Sequence, residues 1–222
     1  MPPFDPPARA EGRSARRTLA LLAILVVALG VGVGIALPLR LEDPAGVGPL
    51  NAFPIDPARD APATAGRGAD GAEIRVPREG RPAVVTFLFT ECPDVCPLIA
   101  NQLAAALDTL GPDALGIDVV AISVDPEDDT PKAARAFLAR HGLAGRLDYL
   151  VGSRESLEPI WAAWQVAAQP AGGDGDGGHE GERSVHSAPV LLVDRTGRQV
   201  GKYSPAIPFA AEDLAADMRE LL

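Results

Sequence analysis

Residues 83–112 read AVVTFLFTECPDVCPLIANQLAAALDTLGP, and 117–124 read IDVVAISV. Ala83–Thr90 is β-branched and aromatic throughout, the composition of a buried strand. Ile99, Leu103, Leu107 and Leu110 then recur at helical spacing until Gly111-Pro112 stops the run. Ile117–Val124 is a second buried strand. Two such strands joined through a helix form a parallel pair, because the return crossover needs a dozen residues or more. The loop between first strand and helix carries both cysteines of the chain, Cys92 and Cys96.

The remaining periodicity extends this α/β plan. Thr130-Pro131 is a helix start, with Thr130 as N-cap and Pro131 in the first turn. That helix runs to about His141 and stops at Gly142. Tyr149–Val151 is a short strand. Ser153 caps a weaker helix carrying Ile160, Trp161 and Trp164, interrupted or begun late by Pro159; both tryptophans read as core packing. Val190–Val193 and Gln199–Tyr203 flank Asp194-Arg195-Thr196-Gly197-Arg198 as a hairpin. Pro208 opens a last helix that places Phe209, Leu214, Met218 and Leu221 roughly on one face. Strands joined by helical crossovers, then a hairpin, describe a mixed sheet flanked by helices, on the plan of a thioredoxin-like fold. Its carboxyl edge is where such sheets place their chemistry, and the cysteine loop leaves from that edge.

Outside this region the chain reads differently. Residues 1–17 hold four prolines and no apolar period, so they are read as a disordered cytoplasmic tail. Thr18 to Leu39 contains no charge, and Leu19–Leu37 as a helix would span about 28 Å, close to the hydrocarbon thickness of a bilayer. Arg9, Arg13, Arg16 and Arg17 precede it, which keeps the N-terminus in the cytoplasm and exports the chain after Arg40. Residues 18–39 are therefore expected to be a transmembrane anchor, with a cleaved signal peptide as the alternative. Residues 40–71, rich in Pro, Ala, Gly and Asp, read as a flexible linker, and 72–222 as the folded, exported domain. Residues 1–40 carry five Arg against Asp5 and Glu11, a net of +3, which leaves −13 for the rest of a chain whose formal charge is −10. So acidic a domain argues against nucleic acid and suits a basic or cationic partner.

Two thiols in Cys92-Pro93-Asp94-Val95-Cys96-Pro97 leave three chemistries open: a soft-metal site, a redox dithiol and a static disulfide. Pro93 and Pro97 bias the residues before them away from helical angles, which puts Cys96 at the N-cap. A thiolate there faces unpaired backbone N–H groups, which lowers its pKa. The three-residue separation leaves room for an ion between the sulfurs. Asp125, Asp128 and Asp129 read mainly as a loop and helix-start segment, with Asp125 a possible neighbour of the site. Of the three histidines, His141 ends a helix, where a partly positive ring suits the dipole, and reads as structural. His179 lies in the Gly- and acid-rich loop 170–183. His186 stands three residues before Pro189; if Pro189 matches the cis-proline of the thioredoxin plan, His186 sits near both sulfurs. A Cys₂His zinc enzyme is a weaker reading, because no general base accompanies the set.

Three segments resemble the signatures of one family. Glu91–Pro97 is similar to the C-P-D-x-C-P motif of the SCO/SenC family. Ser123–Pro131 (SVDPEDDTP) resembles its S/T-V-D-P-x-x-D-T-P segment, and Val185-His186-Ser187 with Leu191–Asp194 its D-H-S…Y-L-V-D segment. Val185 stands where the family usually has Asp, and between Asn51 and Arg81 the family's N-terminal hairpin is not recognisable. The resemblance implies a membrane-anchored, thioredoxin-like metallochaperone rather than an enzyme. It would ligate copper, as Cu(I) and also Cu(II), through Cys92, Cys96 and His186. It would assist assembly of the copper A site in the copper-bearing subunit of cytochrome c oxidase, or serve another copper or thiol protein. The alternative is an exported thiol–disulfide oxidoreductase in which Cys92 and Cys96 cycle through a disulfide and His186 is dispensable.

Overall fold

A computed structural model describes residues 48–166, 188–204 and 207–222 of the chain. The expected tail 1–17, anchor 18–39, acidic loop 170–183, His179 and His186 lie outside the described residues. Among the described residues no helix is long and apolar enough to cross a membrane.

The centre of the sheet is the strand pair expected from sequence. β4 (Ala83–Leu88) pairs parallel with β5 (Asp118–Ser123), and β5 pairs parallel with β6 (Asp148–Val151). On the other side of β4, β7 (Val190–Val193) runs antiparallel and continues into β8 (Arg198–Tyr203) through a tight hairpin. That turn is held by Asp194, whose Oδ1 accepts from the N–H groups of Thr196 and Arg198, and it passes through Gly197 at φ +83°. Gly tolerates that left-handed angle without a Cβ clash.

Every residue of β4 and β5 is buried, because both sheet faces are covered. Side chains alternate between the faces. Val84, Leu88, Val119 and Ala121 join one core with Ile99, Leu103 and Leu107 of α1 (Val95–Leu110) and with Leu214 and Met218 of α4 (Ala211–Leu221). Ala134, Phe137 and Leu138 of α2 (Pro131–Arg140) add to that layer. Val85, Phe87, Val120 and Ile122 face the second core, against Leu157, Trp161 and Trp164 of α3 (Arg154–Trp164). The tryptophans are core residues, as expected: Trp161 Nε1 donates to the Ser123 carbonyl at 2.8 Å and Trp164 Nε1 to Thr64 Oγ1 at 2.7 Å.

Several boundaries follow their sequence signals. Thr130 caps α2 by accepting from the Ala133 N–H, and Ser153 caps α3 by accepting from the Ser156 N–H. Pro159, by contrast, sits inside α3 and does not interrupt it. The last helix begins at Ala211, not Pro208; Phe209 precedes it and packs on Tyr203 with ring centroids 4.6 Å apart.

The larger correction concerns the expected linker. β1 (Phe53–Asp60) pairs antiparallel with β8, and β2 (Thr64–Gly68) pairs with β3 (Glu73–Val76) and with β6. The sheet order is β1-β8-β7-β4-β5-β6-β2-β3, so 53–60 and 64–76 close its two flanks. These strands are hard to see in sequence because β1 is an edge strand with Pro54 and Pro57 in it, which an edge tolerates where a central strand would not. The segment before β1 is tied down too. Asp217 of α4, fully buried, accepts from the N–H and Nδ2 of Asn51, the N–H of Ala52 and the Tyr203 hydroxyl.

Candidate metal centre

The cysteine loop leaves the carboxyl end of β4. The Phe89 carbonyl accepts the Cys92 N–H at 3.4 Å, which turns the chain back. α1 begins at Val95 with Asp94 as its N-cap, and the Asp94 side chain makes no capping bond. The capping acceptor is instead a sulfur: the Cys96 N–H donates to Cys92 Sγ at 3.3 Å. Cys96 therefore lies within the first turn, which corrects its expected position at the N-cap. Pro97 follows in the same turn, where a missing N–H leaves no intrahelical bond unmade.

This placement reverses which thiol is activated. The Cys92 thiol is lowered to about 6, first because Cys96 donates a hydrogen bond to its sulfur. Burial opposes that shift, and the backbone N–H groups of Asp94, Val95 and Cys96 reinforce it. Cys96 is pushed far up: its thiol keeps the proton and donates it in a hydrogen bond to Cys92, it is 1% exposed, and it faces the negative charges of Cys92 and Asp129. Both cysteines are free and buried. Cys92 is thus the thiol that ionises first, with the Cys96 thiol donating to its sulfur. A soft cation entering between them would release that proton and gain two thiolate donors.

Behind the pair lies the buried carboxylate of Asp129, expected as part of a loop and helix-start segment. Asp129 Oδ1 accepts the Thr90 N–H at 2.7 Å; its Oδ2 accepts the Ser123 hydroxyl at 2.6 Å and the Tyr149 hydroxyl at 3.1 Å. Burial pushes its carboxyl up, against those donors, which favour the charged form. A signal exists in the sequence: Thr130 already supplies the cap of α2, so a carboxylate just before it is free for another partner. Asp125, expected as a possible neighbour of the site, is buried in the same loop, its carboxyl raised by burial first and then by Asp128, Asp129 and Glu127.

The remaining expectations divide. His141 is the C-cap of α2; its Nδ1 lies 2.9 Å from Asn101 Oδ1 and its ring packs 4.5 Å from that of Phe137. Burial, then the charge of Arg140, lowers its pKa, which works against the partly positive ring expected there. The cis peptide bonds among the described residues precede Pro57 and Pro77, and the bond before Pro189 is not among them. Among the described residues no three Cys, His, Asp or Glu side chains form a metal-holding group. Cys92 and Cys96 are brought together; His186 lies outside the described residues.

A family model described as SCO1/SenC matches residues 69–222. A SCO2-like protein of Rickettsia prowazekii is 26% identical over 119 residues, covering 54% of this chain and 56% of that protein. The chain thus spans about half the length of that curated relative. The structure of Bradyrhizobium japonicum ScoI with copper bound superposes with a TM-score of 0.60 at 28% identity, covering 74% of this chain and 100% of that one. Apo Sco1 of Thermus thermophilus gives a TM-score of 0.62 at 27% identity, covering 78% and 98%.

Proposed function

The chain belongs to the SCO1/SenC family, and from that premise we propose that its folded domain is a copper metallochaperone. It holds copper through Cys92, Cys96 and His186 and passes it to the copper-bearing subunit of cytochrome c oxidase. The observation that carries the reading is the juxtaposed sulfur pair at the N-terminus of α1, with a backbone N–H on Cys92 Sγ at 3.3 Å. Two thiolates and one imidazole suit soft, low-coordinate Cu(I). With both sulfurs ionised the bound cluster carries a net −1, which the positive end of α1 stabilises. Three ligands leave an open face, so the ion can leave by ligand exchange. Copper bound to ScoI of Bradyrhizobium japonicum, a 28% identical relative, supports the choice of metal. The uncharged stretch 18–39 would anchor the domain on the exported side of a membrane, where a membrane-embedded oxidase is within reach. Competition for Cu(I) against a chromophoric chelator tests the proposal. One equivalent should bind, and Cys92→Ala, Cys96→Ala and His186→Ala should each weaken it at least about tenfold; an unchanged Cys92→Ala protein would refute it.

A second reading has its own support. The lowered Cys92 thiol beside a proton-bearing Cys96 is also the arrangement of a nucleophile in thiol–disulfide exchange. An exported reductase acting on a partner's cysteines would need both thiols and not His186. Loss of disulfide reduction in both cysteine variants, with His186→Ala equal to wild type and no copper bound, would favour it.

A further inference from the structure

The β4–β5 ladder ends at Leu88 opposite Ser123, with one further bond from the Val124 N–H to the Leu88 carbonyl. Beyond that point the chain must leave the sheet to form the cysteine loop, and the Thr90 N–H has no ladder partner. Asp129 supplies one. Its carboxylate, in a residue 3% exposed, collects donors from three places: the Thr90 N–H ahead of the cysteines, the Ser123 hydroxyl at the end of β5 and the Tyr149 hydroxyl of β6. The loop that carries it is closed around it. The Ser123 hydroxyl accepts the Asp125 N–H at 3.2 Å, and the Asp129 N–H donates to the Asp125 carbonyl at 2.9 Å. Thr90 is two residues from Cys92, so at most about 7 Å of chain separates the anchored amide from the reactive residue.

We propose that Asp129 is a positioning residue for the dithiol: through the Thr90 N–H its carboxylate holds the cysteine loop in the arrangement that takes copper, while Ser123 and Tyr149 fix the carboxylate. The proposal rests on the copper reading above. Charge and position act here with opposite signs. A negative charge beside an anionic copper–dithiolate cluster disfavours it, whereas an anchored loop spares the ordering that binding would otherwise require. Asp129→Asn separates the two, since it removes the charge and keeps an oxygen for the Thr90 N–H. Asp129→Ala removes both.

The test uses the full chain, reduced and kept in mild detergent, with Cu(I) affinity read by chelator competition and the Cys92/Cys96 reduction potential read against a glutathione buffer. Asp129→Ala should weaken Cu(I) binding at least about tenfold and move the potential, as loss of an outer support to metal ligands does. Asp129→Asn should stay within about threefold of wild type, or bind more tightly. Asp118→Asn, at the opposite end of the same two strands, should lower thermal stability and leave both readouts unchanged. An Asp129→Ala protein that folds and matches wild type overturns the proposal, as does an Asp129→Asn protein as weak as Ala. Should Asp129→Ala not fold, wild-type amide exchange decides. The Thr90 N–H should exchange at least about tenfold more slowly than that of exposed Glu91, and equal rates overturn the anchor. Failure of the wild type to bind copper would sink the chaperone reading instead, leaving the anchor to be judged by exchange and potential.

Discussion

Cys92 Sγ accepts the backbone N–H of Cys96 at 3.3 Å, so the first cysteine, outside the helix, supplies the capping acceptor that the side chain of the N-cap Asp94 does not. The consequence is an asymmetric pair, with an activated outer thiol and a buried inner one that holds the proton.

Alkylation of the reduced, copper-free protein reads this asymmetry. Cys92 should be modified first, with a rate that rises through a midpoint near pH 6, where its thiolate forms. In Cys96→Ala the largest stabilising contact is gone, so the Cys92 midpoint should move up. Equal labelling of both cysteines at pH 6.5, about half a unit above the midpoint expected for Cys92, would contradict the assignment.

Asp118 provides a pH dependence with a definite sign. Burial would raise its carboxyl, but hydrogen bonds and charge from Arg78 and Arg81 hold it below the usual carboxylate range. A folded pKa below the unfolded one stabilises the protein above the unfolded value, about 3.9. That stability is lost as pH falls through the folded value. Asp118→Asn should therefore lower stability at pH 7 by about 1–2 kcal/mol, discounted because both arginines are partly exposed. In denaturant titrations the gap between the two proteins should close below pH 4, near the unfolded carboxyl value; a gap that widens there would contradict the ion pair.

Asp217 should be among the most costly polar residues to remove. Its four hydrogen bonds join α4, β8 and the segment before β1. Asp217→Ala leaves the buried Ala52 N–H and Tyr203 hydroxyl unpaired, at a cost of about 3 kcal/mol. Tyr203→Phe removes one partner and should cost about 1 kcal/mol. Amide exchange at Asn51 and Ala52 should quicken in Asp217→Ala and hold in a surface control such as Glu212→Ala.

Truncation tests the corrected domain boundary. A chain starting at residue 72 lacks β1 and β2, which leaves β8 and β6 as open edges and strands β3 without its partner. It should unfold less cooperatively and aggregate more than a chain starting at 45. Matching thermal transitions would restore the linker reading.

How much of this can be read from sequence depends on where each element lies. The central strands β4 and β5 and the apolar face of α1 are legible because both sides of each strand are covered, so hydrophobicity runs unbroken. The caps Thr130 and Ser153 are legible because their chemistry is local. β1 and β2 are not: β1 is an edge strand holding two prolines, and β2 (TAGRG) holds two glycines and no large apolar residue, so both look like spacer. The cysteine motif marks the site, but not which thiol is activated, because that depends on where α1 starts. Two prolines bias that start, and the Cys92 sulfur decides it by accepting the Cys96 N–H. Asp129 stays hidden for a related reason: its partners, Thr90, Ser123 and Tyr149, lie on three separate elements that meet only in the fold.

X-ray absorption of the copper-loaded, reduced full chain tests the central claim most directly. The copper should show two sulfur neighbours and one imidazole nitrogen, and His186→Ala should lose the imidazole signal while keeping both sulfurs. A wild-type spectrum without sulfur neighbours, or an imidazole signal that survives in His186→Ala, would contradict the proposed ligand set.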